Sequence, residues 1–229
     1  MDDFNKILQD ISKGQNLDKY INDTNLAIRK EVAKQGYKLD ILIYDKSPIV
    51  RAEVARQGYG LSILIHDENS FVRKEVAKQG YGFNILVHDA EPSIRMFIAE
   101  QKYGLDVLIN DDDDFVRLEV VKQGYGLETL IHDKNPWIRA AVAKQGYGLE
   151  KLVHDESSHV RMEVAGQEYG LDILANDEDP IIRNYAIERL QSKESIQNET
   201  FEEKLDRLEK EAELESYNTN LELAKEQER

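Results

Sequence analysis

Apolar residues recur along this chain at helical spacing, and the whole pattern restarts every 22 residues, from Asp23 to the unit that begins at Asp177. Each unit is counted here from its aspartate as position 1. Positions 6 and 10 are apolar and position 11 is usually small, as in Val72, Val76 and Ala77. That spacing draws one apolar stripe on a helix. Position 3 is Asn25, Ser47, Asn69, Glu91, Asp113, Asn135, Ser157 or Asp179, and all but Glu91 are residues whose side chains cap the free amides of a helix start. The prolines Pro48, Pro92, Pro136 and Pro180 all stand at position 4, where a missing N–H is harmless in the first helical turn. Glycine at position 14, such as Gly58 or Gly80, is the expected stop, because it tolerates the left-handed conformation. A second, shorter helical segment follows, with apolar positions 17, 20 and 21, as in Leu61, Leu64 and Ile65. Twelve of the thirteen glycines fall at positions 14 or 16, so they punctuate the repeat and do not form a phosphate-binding loop.

Three further residue types keep the same register. Arginine recurs at Arg29, Arg51, Arg73, Arg95, Arg117, Arg139, Arg161 and Arg183. Aspartate recurs at Asp23, Asp45, Asp67, Asp89, Asp111, Asp133, Asp155 and Asp177, and tyrosine from Tyr37 to Tyr169. Helices of ten residues or fewer are marginal alone, so each unit needs its neighbours to bury its stripe. The expected fold is therefore all-α, a solenoid of eight two-helix repeats. Residues 2–13 read as an N-terminal capping helix, with residues 1–22 holding that helix and a half repeat, 23–190 the array, and 191–229 a linker and acidic amphipathic helical tail. In the tail, residues 191–199 read as polar linker, Thr200 to Glu203 as a capping box, and Phe201, Leu205, Leu208 and Ala212 as a short stripe. The tail is expected to fold back on the last repeat, with dimerisation as its alternative.

Asp-x-x-Pro-x-Val/Ile-Arg followed by a small-residue helix resembles the HEAT-repeat signature. The short unit, with Val/Ile-Arg-x-x-Val-Ala and then Leu-x-x-Leu, is similar to the leucine-rich-repeat-variant family over about residues 15–190. The resemblance implies stacked short helices, with the arginine and aspartate of each unit in a ladder of hydrogen bonds between repeats. Asp45, Arg51, Asp67, Arg73, Asp89, Arg95, Asp111, Arg117, Asp133, Arg139, Asp155 and Arg161 would form it. Two departures stand out: the unit here is shorter than the usual variant repeat, and the cysteine-ligated cluster domain of some members is absent, so no iron–sulfur role follows.

Charge and composition narrow the function classes. A formal net charge of −15 repels phosphates, so direct nucleic-acid binding is not expected and a basic protein surface is the expected partner. The chain has no cysteine, which excludes disulfides and thiolate chemistry and suits a reducing compartment. Its start lacks the pattern of a signal peptide and no stretch is long enough to span a membrane, so a cytoplasmic location is expected.

Chemistry-bearing residues all fall into the repeat. A catalytic site is needed once, whereas the charged series occurs eight times, which points to packing. His66, His88, His132 and His154 share position 22 with Asn22, Tyr44, Asn110 and Asn176, so they read as helix-end residues and no metal or other cofactor is expected. The run Asp111-Asp112-Asp113-Asp114 lacks the glycine and glutamate of a calcium loop and lies where every unit has its cap.

Positions that differ between repeats are the candidates for function. Positions 5, 8, 9 and 12 lie away from the stripe and should form an exposed ridge, lining the concave surface if the HEAT resemblance holds. Early units fill it with charge, as in Lys30, Glu31, Lys34, Lys74, Glu75 and Lys78. From the fourth unit it carries Met96, Phe97, Phe115, Leu118, Trp137, His159, Met162, Ile181 and Tyr185, an interaction-type composition. The alternative is that stacking buries positions 8 and 9 between units. The leading expectation is a non-catalytic scaffold or adaptor that binds a protein or peptide. An acidic mimic of nucleic acid that inhibits a DNA- or RNA-binding protein is the second reading, and a HEAT-like nucleic-acid enzyme the third.

Overall fold

The computed structural model describes residues 2–197 and 204–212, and every secondary-structure element among them is helical. The chain divides into two compact units, Met1–Gln145 and Gly146–Arg229. In chain order the first holds α1 (Asp2–Ser12), α2 (Leu17–Tyr20), α3 (Leu26–Lys34), α4 (Leu39–Leu42), α5 (Pro48–Arg56), α6 (Leu61–Leu64), α7 (Ser70–Lys78), α8 (Phe83–Leu86), α9 (Pro92–Glu100), α10 (Leu105–Leu108), α11 (Asp114–Lys122), α12 (Leu127–Leu130) and α13 (Pro136–Lys144). The second holds α14 (Leu149–Leu152), α15 (Ser158–Gly166), α16 (Leu171–Leu174) and α17 (Pro180–Gln197). A further helical stretch covers residues 204–212. The architecture is a helical-repeat solenoid in which a nine-residue helix alternates with a single four-residue turn.

In the first unit each long helix lies against the next, α3 on α5, α5 on α7, α7 on α9, α9 on α11 and α11 on α13, with α1 covering α3. Each short helix touches the long helix that follows it. The buried side chains come from positions 6, 10 and 11 of the long helix and 20 and 21 of the short one, as in Val116, Val120, Val121, Leu130 and Ile131. Each larger aliphatic contributes about 1.5–3 kcal/mol of burial. In the second unit α15 lies on α17, and α16 fills the space between them.

Position 3 caps the long helix through its side chain at Asn25, Asn69, Asp113, Asn135 and Asp179, which accept from the amide two residues on. Ser47, Glu91 and Ser157 make no such bond. Another residue serves in every repeat: the position-1 aspartate accepts from the position-3 amide, as Asp89 Oδ1 does from Glu91 at 2.9 Å.

The two glycine positions do different work. Position 14 ends the long helix in the left-handed region, with open space around it, so Lys102 and Glu168 also serve there at φ 58° and 55°. Position 16 is left-handed as well, but there a Cβ on Gly126 would lie 2.1 Å from Ile109 Cδ1 in the preceding repeat. Chirality and crowding both favour glycine at Gly126, while in the first repeat Lys38 fills position 16 at φ 52°.

The pattern breaks in the last repeat. Residues 191–197, expected as linker, continue α17 instead. Leu190 stands where position-14 glycine would stop the helix, and neither the tyrosine nor the glycine of the following turn is present. Of the tail stripe, Leu205 and Leu208 are 50% and 47% exposed, and Phe201 lies outside the described residues. The capping box at Thr200–Glu203 lies outside the described residues. Among the described residues no helix is long and apolar enough to cross a membrane.

The two glycines of one repeat provide an internal comparison. Gly124→Ala should cost about 1 kcal/mol, the penalty of forcing alanine to positive φ. Gly126→Ala should cost at least about 1 kcal/mol more, because Ile109 must leave its position as well. Equal denaturation midpoints for the two variants would show that the close approach is not a constraint.

Candidate interaction face and the ladder behind it

The ladder arginine of a long helix reaches back to its own repeat and forward to the next, whereas Arg183 in the last repeat bonds the carbonyls of Asp177 and Glu178 in its own repeat. Arg73 Nε and Nη2 donate to Asp89 at 2.6 and 2.7 Å, while Nη1 donates to the carbonyl oxygens of Asp67 and Glu68 at 2.8 and 3.2 Å. The same fork joins Arg29 to Asp45, Arg51 to Asp67, Arg95 to Asp111 and Arg117 to Asp133 in the first unit, and Arg161 to Asp177 in the second. Arg139 donates to the carbonyl of Asp133 in the same way, and Asp155 accepts from the amide of Ser157. One aspartate thus holds the guanidinium of the preceding repeat and the start of its own helix. Planar fork-to-carboxylate pairing of this kind is strong and fixed in direction.

Burial by itself would raise the carboxyl pKa of Asp45, Asp89 and Asp111. The arginine hydrogen bonds, the position-3 amide and the nearby positive charge outweigh it, so all three lie below the ordinary aspartate range. At Asp177 the Arg161 bond is itself the largest influence, in the same direction.

The acidic run is built into this scheme. Asp111 takes the Arg95 fork, Asp113 caps α11, and Asp114 accepts from Asn135 at 2.7 Å and Arg117 at 2.6 Å. His66, His88, His132 and His154 are exposed, and among the described residues no three histidine or carboxylate side chains converge as metal ligands. Grooves at the short-helix end open beside the ladder. One of about 610 Å³ runs from Ile21 to Lys46, and others lie beside Arg117 and Arg161.

The ridge differs from its expected form. Position 5 is exposed: Phe115, Trp137 and Ile181 are 70%, 63% and 69% accessible, with His159 half-buried. Positions 8 and 9 instead turn toward the neighbouring repeat. Met96, Phe97, Leu118, Met162 and Tyr185 are half-buried, and Ala52, Glu53, Glu75, Glu119 and Ala140 are buried. The reason is helix rotation. The packed face also takes in the position-7 arginine and the small residue at position 11, so its centre is turned away from the midpoint of 6 and 10 and positions 5 and 12 lie furthest outside.

That rotation reveals a second charged array. Glu75, only 3% exposed, accepts from Lys78 at 2.8 Å and from Arg56 of the preceding repeat at 2.9 Å. Arg56 also holds Glu53 at 3.0 Å and lies over the Phe71 ring, 5.4 Å from its centroid. The sequence carried a signal for this, since position 9 is glutamate in five of eight repeats and position 12 is often basic. An exposed row at position 19, Ile41, Ile63, Ile85 and Val107, was likewise legible only as part of a short apolar run.

No protein-family model matches this chain, and no curated protein matches it significantly.

The depressed aspartates set a pH dependence. Their folded pKa values lie below the unfolded ones, so their stabilisation is complete above the unfolded value and is lost as pH falls through the folded value. The denaturant midpoint should therefore owe no loss to these groups down to about pH 5 and should fall steeply below about pH 4. A midpoint that holds steady through strongly acidic pH would contradict the ladder as an ionic device.

Proposed function

We propose that this chain is a non-catalytic protein-binding scaffold of the HEAT-like, leucine-rich-repeat-variant type, and that the position-5 face of its later repeats receives the partner. The carrying observation is that Phe115 and Trp137, on adjacent long helices of one unit, are 70% and 63% exposed, well above the repeated position-19 aliphatics and position-15 tyrosines, of which Ile63 and Tyr59 are 49% and 43% exposed. Large exposed aromatics in neighbouring repeats have the composition of an interaction hot spot. Half-buried Phe97 and Leu118 extend this apolar floor, and Ile181, His159, Met162 and Tyr185 offer a comparable set in the second unit. The partner surface is basic at its edge, in keeping with the net charge of −15.

The acidic-mimic reading fits less well. A mimic needs regular exposed charge, but the most regular aspartates are neutralised by arginine. Position 18, which carries exposed Asp40, Asp106 and Glu128, is interrupted by Ser62 and Asn84. For an enzymatic reading, the repeated charged residues among the described residues are engaged in the ladder between repeats. A cytoplasmic setting accords with the cysteine-free composition.

The test is capture from native lysate. Phe115→Ala with Trp137→Ala should remove a specific captured protein while changing stability by no more than about 1 kcal/mol, because exposed side chains contribute little to folding. Lys30→Ala with Lys74→Ala should leave capture intact. Loss of folding in the aromatic pair would assign those rings to the core, and greater dependence on the lysines would point to an acidic partner.

A further inference from the structure

Among the described residues one position-12 cation bridges to the position-9 glutamate of the next repeat, and its counterpart on the aromatic face is an anion. In the second and third repeats Arg56, at position 12 of α5, crosses to α7. There it stacks over Phe71 and bonds the buried Glu75. Two repeats later the same register places Glu100 at position 12 of α9, opposite Phe115 and Glu119 of α11. Phe115 and Glu119 are the direct equivalents of Phe71 and Glu75. The cation has become an anion while its aromatic and acidic partners remain.

The consequences are visible in the structure. Phe71, covered by Arg56, is 42% exposed, whereas Phe115 is 70% exposed. Glu119 is buried like Glu75, but its bonds are local, to Lys122 at 2.9 Å and to the Gln123 amide at 2.8 Å. A neutral amide thus takes the oxygen that a cross-repeat guanidinium would take. Among the described residues Glu100 forms no ion pair. Phe97 replaces the acid that Glu53 supplies on the near side, so the repeat register assigns two rings, Phe97 and Phe115, and two carboxylates, Glu100 and Glu119, to the equivalent place.

We propose that this place receives an arginine side chain from a basic partner, which stacks on Phe115, displaces the Gln123 amide and pairs with Glu119 and Glu100. The inference rests on the protein-binding reading above and names what that face recognises. The molecule contains its own template for the contact, because Arg56 occupies the equivalent place with the geometry just described. Arginine fits better than lysine, since its planar group can stack on a ring and bond a carboxylate at once. The excess of acidic side chains in the chain favours the same occupant.

The experiment uses a short fluorescein-labelled arginine-rich peptide, with full-length protein titrated in at physiological ionic strength and binding read by anisotropy. Glu100→Arg supplies the missing guanidinium from within and should weaken peptide binding about tenfold or more. Glu128→Arg makes the same charge change at an exposed position in α12 and should weaken it less than about threefold, as screened surface charges do. Phe115→Ala should also weaken binding, and the lysine counterpart of the peptide should bind less tightly. The melting temperature of Glu100→Arg should equal or exceed that of the wild type. Equal loss in Glu100→Arg and Glu128→Arg, or no binding by the wild type, overturns the proposal. A Glu100→Arg protein that melts well below the wild type does so too, because the place would then reject a guanidinium. If the peptide ignores this place while the aromatic pair still controls partner capture, the arginine inference fails and the scaffold reading stands.

Discussion

Each ladder arginine offers donors in one plane, and three of them decide the register. Two hold the carboxylate of the next repeat, and a third holds the carbonyl that begins its own repeat. The carboxylate in turn accepts the amide that opens its own long helix. Removing either partner leaves a mostly buried charge without its counter-ion, which costs about 3–5 kcal/mol, far more than a surface pair would. Apolar burial drives the helices together without direction. The fork supplies the direction, because it closes only when neighbouring repeats are in one register.

Around that clamp the rest of the unit has little freedom. A nine-residue helix is too short to persist alone, and its stripe at positions 6, 10 and 11 is buried by the neighbouring repeats on either side. The left-handed residue at position 14 ends it, and the glycine at position 16 lets the following turn approach the preceding repeat closely. The last repeat shows what these devices prevent. With Leu190 at position 14, the helix runs on to Gln197.

Much of this was legible because repetition averages over local ambiguity. Eight copies of one aspartate and one arginine mark a shared structural duty more clearly than any single motif, and the glycine register located the helix ends. What the sequence could not convey was helix rotation. A stripe at positions 6 and 10 is compatible with 8 and 9 facing either solvent or a neighbour, and only the stacked helices decide that Glu75 and Glu119 are buried. The tail was misread for a related reason. Polar composition from residue 191 suggested a linker, but a helix needs a stop signal to end, and none is present. On the candidate face, Phe115, Trp137 and Ile181 share position 5 and are exposed, whereas Met96, Phe97, Leu118, Met162 and Tyr185 serve partly as packing between repeats.

The proposed binding face lies where a repeat departs from its siblings while the clamp is kept. The central claim is that the fork couples one repeat to the next, and a double-mutant cycle across it is the most direct test. Arg73→Ala, Asp89→Ala and the pair would be compared by denaturant unfolding, since these two residues meet at 2.6 Å and lie within one unit. The account predicts a coupling energy of at least about 1 kcal/mol, with the pair less destabilised than the sum of the single changes. Additive effects, with coupling near zero, would contradict it and leave the ladder a by-product of apolar stacking.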